Sequence, residues 1–307
     1  MASLLMSAVV MLSVMAVFAA RQRTDELDTT LRVRLAAHNR QYRRGQVGFA
    51  VRRNRHSHLP HAHFLRAMTG YHRSATSGEV VWGEFDPGEA TPPPAVDWRA
   101  AGAVSAPREQ LHCGSCWAFS AIGALEGQYF LKYGKLVQLS AQSLVDCSAE
   151  YGNGGCSGGA MDNAFKYIRD NGGIDTEESY PYEGVDNQCR SGTPLSGTGG
   201  VRVAAVRAGD EAALASAVAA GPVAVAVDAS PPSFRGYSAG VYYDPACTPD
   251  NLNHAMLLVG YGSDAGGDYW LLRNTWGRSW GQRGDMKLAR NRGNHCGIAS
   301  AALIPVL

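Results

Sequence analysis

Gln110-Leu111-His112-Cys113-Gly114-Ser115-Cys116-Trp117-Ala118-Phe119-Ser120 governs how the rest of the chain is read. It runs as a tight loop into a helix, with Ser115 as the expected N-cap and Cys116 in the first turn. Phe119, Ile122, Leu125 and Tyr129 recur at near-helical spacing, which predicts one buried face. A cysteine at a helix start feels the positive end of the peptide dipoles. That favours the thiolate and lowers the pKa below the free value of ~8.5. A thiolate beside a base is an activated nucleophile.

Two segments far downstream supply partners. Asn253-His254-Ala255-Met256-Leu257-Leu258-Val259 puts a histidine just ahead of an apolar, strand-like run. Leu271-Leu272-Arg273-Asn274-Thr275-Trp276-Gly277 puts an asparagine at a strand end, beside a tryptophan. Alone, each residue has a plainer meaning. A histidine before an apolar strand is usually structural, and Cys113-x-x-Cys116 also fits a redox pair. Together and in this order they form a local signature, Cys-Gly-Ser-Cys-Trp with a distant His and Asn. The chain therefore resembles the papain family of cysteine proteases, in its cathepsin L-like branch, from about residue 31 onward and most densely from 113.

The resemblance implies an α+β architecture of two halves: a mainly helical one over about 92–200 and a mainly β, barrel-like one over about 201–307, with a cleft between. Cys116 would come from one wall, His254 and Asn274 from the other. It implies Cys116 as nucleophile, His254 as base, Asn274 orienting the imidazole and Gln110 donating to the oxyanion. Gly158 and Gly159 would pair with an extended substrate. Ala160, Met161, Ala226, Leu252, Ala255 and Ala301 would line the pocket for the residue two before the cut. Trp276 would shelter the His–Asn hydrogen bond, and Trp280 would wall the leaving-group side. No charge occurs in the pocket set, so a bulky apolar or aromatic residue is expected there. The plain alternative is that several of these small residues and Trp280 are simply core.

Seven cysteines sit at 113, 116, 147, 156, 189, 247 and 296. Six pair in any of 15 ways and one is left over. The resemblance implies 113–156, 147–189 and 247–296, with Cys116 free. Each loop would contribute ~4 kcal/mol by the chain-entropy argument, and such usage fits an oxidising compartment.

Met1–Ala20 is uncharged and rich in Leu, Val, Met and Ala. It reads as a secretory signal peptide cut after Ala19, with an uncleaved anchor as the alternative. Residues 20–91 are polar and rich in Arg and His. Thr30–Tyr42 reads as a helix with Leu31, Leu35 and His38 on one face, stopped by Gly45 and Gly48. The resemblance makes this segment an inhibitory propeptide, shortened at its front. Thr91-Pro92-Pro93-Pro94 is an extended, protease-accessible boundary; the mature peptidase domain would cover 92–307.

Net charge is +1, which makes no case for nucleic acid. The charge is uneven: 12 Arg and 7 acids over 21–94, against 16 Lys+Arg and 20 acids over 95–307. A basic segment docked on an acidic body is one reading, chance imbalance the other. His56, His58, His61 and His63 form a tract that reads as a solvated surface, as a zinc or copper site, or as a group titrating near pH 6.5. His58 stands where the family usually has an acid, so it is the expected pH sensor. Leu111 stands where glycine is usual; a positive φ there would strain it by ~1–2 kcal/mol. Asp285 stands where an aromatic is common.

The expected function is a cysteine endopeptidase made as a zymogen, with no cofactor and no metal. A catalytically weak relative acting as a binding or inhibitory module is the alternative. Expected partners are protein and peptide substrates, its own propeptide and cystatin-like inhibitors, on a monomer with no stable membrane span. No Asn-x-Ser/Thr sequon occurs, and the localisation expected is lysosomal or secreted.

Overall fold

The structure is a computed structural model that describes residues 29–74, 83–89, 91–190 and 192–307. The expected leader over 1–19 lies outside these residues. Helix α1 covers 29–43, and Gly45, at φ 66°, sits in the turn that ends it. His38 and Asn39 on α1 fasten the next element. Asn39 exchanges two hydrogen bonds with the Val51 backbone at 2.7 and 2.9 Å, and a His38 ring nitrogen meets Phe49 O at 3.0 Å. Strand β1 (Phe49–Val51) then leads through a turn to helix α2 (His61–Met68).

The next section holds strand β2 (Val96–Asp97) and three helices, α3 (Cys116–Tyr133), α4 (Ala141–Cys147) and α5 (Met161–Asp170). Ser140 caps α4 by accepting from Ser143 N at 2.9 Å, and Gly134 ends α3 in the left-handed region at φ 69°. Two expectations for α3 change. Its first two-thirds, Cys116 to Gly127, is buried on every side rather than on one face, because it runs between two apolar cores. Ser115 occupies the N-cap position but makes no capping bond; its hydroxyl pairs instead with the Tyr182 hydroxyl at 2.6 Å.

From residue 202 the alternating pattern becomes strands, as expected: β3 (Arg202–Ala205), β4 (Val223–Val227), β5 (Tyr237–Tyr242), β6 (His254–Asp264), β7 (Gly267–Arg273), β8 (Asp285–Ala289) and β9 (Ala302–Val306), with helices α6 (Glu211–Ala220) and α7 (Pro232–Gly236) between them. The sheet order is β1-β5-β8-β7-β6-β4-β9-β3, with β2 also on β6. The pairing of β5 with β8 is parallel and the others are antiparallel. The α+β architecture thus stands, and the N-terminal segment contributes β1 to the edge of the sheet. One core lies inside the curled sheet, around Trp270, Trp276, Trp280 and Phe234. The other lies between α3–α5 and the faces of β4 and β6.

The bonds Cys113–Cys156, Cys147–Cys189 and Cys247–Cys296 form, and Cys116 is the free cysteine. Charge complementarity explains little of the segment's docking. Arg55 pairs with Glu109 in the expected sense, but Glu84 of the segment pairs with Arg207 of the body in the opposite sense. Backbone capture matters more: Arg52 donates to Ser279 O and Gly281 O, each at 2.9 Å, and Asn54 donates to Arg235 O at 2.6 Å.

Asp285 has an ionic role in place of the usual aromatic. It is buried and accepts from Arg273 at 2.5 Å and from Arg99 at 2.7 Å. Asn274 follows Arg273 directly, so this cluster fixes the strand end that carries it. Removing the Asp285 carboxylate would leave Arg273 with the Ser105 carbonyl alone while Arg99 keeps Asp97, so the cost falls toward the lower end of the ~3–5 kcal/mol typical of a broken buried pair. Asp285→Ala should therefore lower the unfolding free energy measured by urea titration at neutral pH by that much; a loss of about 1 kcal/mol or less would mean the pairs are effectively solvated.

Candidate active site

Strand β6 begins at His254 and helix α3 begins at Cys116, and the two elements pack together. Ser120 Oγ donates to Met256 O at 2.7 Å, and Ala255 N points at Cys116 Sγ at 3.4 Å. A Cβ at Gly123 would fall 2.9 Å from the Leu257 side chain, so glycine permits the close approach. Cys116, His254, Asn274 and Gln110 are all fully buried.

His254 Nε2 and Asn274 Oδ1 are 2.8 Å apart. Asn274 Oδ1 also accepts from Thr275 N at 2.7 Å, so it is an acceptor and Nε2 carries the proton. That leaves Nδ1 as the basic lone pair, and Nδ1 has no partner. The Trp276 ring stacks on the imidazole at 4.6 Å. Gln110 Nε2 donates to Cys113 O at 2.7 Å, leaving its second N–H. Gln110 Oε1 accepts from Thr275 Oγ1 at 2.6 Å, and Gln110 O from Tyr182 Oη at 2.7 Å. Thr275 and Tyr182 were not singled out from the sequence. Thr275 is marked only by adjacency to Asn274; nothing local marks Tyr182.

Leu111 has φ 57°, so the expected strain is present, at ~1–2 kcal/mol. Its side chain is half exposed and lies against Gly184. Gln110 is tied through side chain and backbone, so the strain is held beside it without displacing its amide.

The N-terminal segment covers this set. Gly70 N and Tyr71 N both donate to Asn253 O at 3.0 Å, Gly159 N donates to Gly70 O at 2.8 Å, and His72 N donates to Gly159 O at 2.9 Å. Gly159 therefore pairs with an extended stretch of the protein's own chain. Gly158, at φ 112°, faces the His72 ring. Gly70 lies so close to Gly114 that a Cβ would fall 2.0 Å from its carbonyl oxygen. Tyr71 is buried in the same apolar cluster as Met161, Ala226 and Ala255, against which Leu252 and Ala301 also pack; Ala160 is buried beside them. The residues expected to line a pocket thus share one apolar cluster with an aromatic ring of the N-terminal segment. Trp276 and Trp280 are both fully buried. Trp276 Nε1 donates to Met68 O at 2.9 Å, and Phe64 packs edge-on to its ring at 5.0 Å. Trp280 stacks on Phe234.

Coverage reverses one electrostatic expectation. Burial pushes the Cys116 thiol up to about 12, opposed only in part by backbone N–H groups including those of Ala255, Trp117 and Gly70. Burial also pushes His254 down to about 4, against the Asn274 bond. Both shifts favour neutral thiol and neutral imidazole, so the helix dipole does not produce a thiolate while the segment is in place.

The histidine tract divides. His58 and His63 are exposed, whereas His56 is buried and edge-on to Trp276 at 6.2 Å. His56 Nε2 and His61 Nδ1 have no partner. The only group of three metal-type ligands among the described residues is Cys247, His295 and Cys296, where both sulfurs are in a disulfide. His61 is lowered by burial and by the Arg235 charge, and the most buried member of the tract is His56. Burial lowers it from 6.5 to about 4, with the charges of Arg55 and His112 acting the same way and Glu109 and a Trp276 backbone bond acting against.

Two outcomes follow from this geometry. A folded pKa below the unfolded one means docking is favoured fully above pH 6.5 and weakens as pH falls from 6.5 towards about 4. In a Cys116→Ser background, His56→Phe should remove the His56 share of that loss and leave those of His61 and His254, so urea midpoints of the two proteins should diverge across this window; parallel curves would acquit His56. Gly70→Ala, by forcing Gly70 off Gly114, should open the site. The full-length protein at neutral pH should then be alkylated at Cys116 by an epoxide on the order of tenfold faster, the effect of about 1.4 kcal/mol of lost closure. Equal rates would mean the segment shifts without uncovering the sulfur.

Comparison with known proteins gives the same picture. Residues 92–306 match the family described as papain family cysteine protease. A cathepsin L-like peptidase of Aedes aegypti is 48% identical over 89% of this chain and 84% of its own. Cathepsin L of Sarcophaga peregrina is 49% identical over 90% of this chain and 84% of its own. The structure of digestive procathepsin L 3 from the larval midgut of Tenebrio molitor superposes with a TM-score of 0.82 at 41% identity, covering 93% of this chain and 91% of that one. The chain belongs to the papain family of cysteine proteases, as a cathepsin L-like member.

Proposed function

We propose that this cysteine-type peptidase is an endopeptidase made as a zymogen, with a signal peptide over 1–19, an inhibitory propeptide over 20–91 and a peptidase domain over 92–307. The observation that carries this reading is the backbone of residues 70–72 lying on Gly159 and over Cys116, above a His254–Asn274 pair and a tethered Gln110. A non-catalytic relative would have no need to cover a complete set.

Removal of the propeptide readmits water to Cys116 and His254. Charge separation then becomes favourable, and the proton moves from Cys116 Sγ to His254 Nδ1. The thiolate attacks the scissile carbonyl. The second Gln110 Nε2–H and the Cys116 N–H donate to the oxyanion; losing one such donor typically costs ~2.7–4 kcal/mol. The tetrahedral intermediate collapses to a thioester as His254 gives its proton to the leaving amine. Water, deprotonated by His254, then attacks the thioester, and the acid product leaves with Sγ as thiolate. Asn274 Oδ1 holds the imidazole in the required tautomer throughout, and the Trp276 ring screens that bond.

Burial of Tyr71 among Met161, Ala226 and Ala255 supports a bulky apolar or aromatic residue two before the cut. Cystatin-like inhibitors, a monomeric state and a lysosomal or secreted location are carried over from the resemblance alone. The test is direct. Cys116→Ser should fold but lose hydrolysis of a Phe-Arg fluorogenic peptide, and His254→Ala should lose nearly as much, because nucleophile and base act as a unit. Replacing the Phe by Glu should cost the wild type on the order of a hundredfold in kcat/KM, as expected for a desolvated charge in an apolar pocket. Turnover by Cys116→Ser within tenfold of wild type would sink the assignment.

A further inference from the structure

Glu109 occupies a position that the mechanism does not use. It precedes Gln110, and its backbone bridges Trp276 across the two halves. Gln110 N donates to Thr275 O at 2.8 Å and Gly277 N to Arg108 O at 3.2 Å, so the Glu109 backbone is fixed on both sides. Its carboxylate hangs beside Gly277, where a Cβ would come 3.1 Å from Oε2. The Arg55 guanidinium donates to Oε1. Even with that partner in place, the Glu109 side chain keeps 30% of its accessible surface.

The path of the covering segment says which side of the scissile bond this is. Gly70 lies over Cys116, and Tyr71 and His72 continue onto Gly159 and Ser157, the side that takes the acyl half of a substrate in the reading proposed above. Residues before Gly70 lie on the opposite side: Met68 O and Phe64 on Trp276, His56 on the same ring, and Arg55 on Glu109. Arg55 therefore stands where a substrate side chain from the leaving-group half would reach. A guanidinium is the cation best matched to a carboxylate, because its fork donates in a plane.

We infer that Glu109 is a cation subsite on the leaving-group side of the cleft, which selects substrates carrying Arg or Lys within three residues after the cut, and that Arg55 fills it in the uncleaved chain. This rests on the proposed endopeptidase activity. A partly exposed pair is worth a few tenths to about one kcal/mol, so the selection is about two- to fivefold and weakens as salt is raised.

The full chain is expressed, allowed to process itself and titrated with an epoxide to count active sites. Quenched fluorescent peptides share one acyl half and carry Arg, Gln or Glu in turn at the first, second and third positions after the cut. Within each enzyme the kcat/KM ratios are compared, so a general loss of activity cancels. At one position the wild type should prefer Arg over Gln and Gln over Glu by about two- to fivefold each. Glu109→Gln should bring those ratios close to one, and Glu109→Lys should invert them. Indifference of the wild type at all three positions, or wild-type ratios in Glu109→Lys, overturns the inference and leaves the endopeptidase reading intact. Failure to cleave any of the peptides overturns both.

Discussion

The seam between α3 and β6 sets everything else. Each element starts with a residue of the candidate site, Cys116 on one and His254 on the other. Bringing two element starts together requires close packing along their length. Gly123 against Leu257, and the Ser120 hydroxyl on Met256 O, supply it. Because α3 is buried on all sides through Gly127, it cannot rotate to relieve local strain. The positions of Gln110, Asn274 and Trp276 are then fixed relative to it by short tethers: Thr275 to Gln110, Gly284 O to Asn274 N, and the Arg273–Asp285–Arg99 cluster.

Latency in this arrangement has two physical parts. One is steric, because backbone occupies the place of a substrate. The other is dielectric. The covering chain removes water, and an ion pair that water would stabilise is replaced by its neutral form. The same residues that are poised for chemistry are thus held in the wrong protonation states until they are wetted. Gly70 and Tyr71 serve the two parts in turn, since the Gly70 N–H faces the Cys116 sulfur while the Tyr71 ring is buried in the apolar cluster that includes Cys116.

Much of this was legible from residue order. The Cys-Gly-Ser-Cys-Trp string at a helix start and Asn274 at a strand end sit where local signals put them, His254 opens its strand rather than preceding it, and the three disulfides follow the pattern the resemblance implies. The parts that were not legible depend on distant partners. Helical spacing marks one apolar face of α3, but small residues such as Ala118, Ala121 and Ala124 leave no sign that the other faces are buried too. Ser115 looks like a cap by type, and only the arrival of Tyr182 from a separate loop diverts its hydroxyl. Of four histidines in one tract, sequence favoured His58; the turn held by Asn54 instead sends His56 under cover. The oxyanion-loop strain at Leu111 was readable because backbone sterics are local. The tethering of the neighbouring Gln110 was not, since it comes from Thr275 and Tyr182.

The disulfide pattern has a consequence for where such a molecule can live. Cys116 is a free thiol, while three residues away Cys113 is bonded to Cys156, whose carbonyl accepts from Gly114 N. One compartment has to maintain both states, so the separation is kinetic, through access to the sulfurs. Cys113 is fully buried, whereas Cys189 is exposed. A reductant strong enough to protect the nucleophile therefore meets Cys147–Cys189 first. The loop that this bond closes carries Gly158, Gly159 and Tyr182, whose hydroxyl meets Gln110 O and Ser115 Oγ, so opening it would loosen the frame around Cys116.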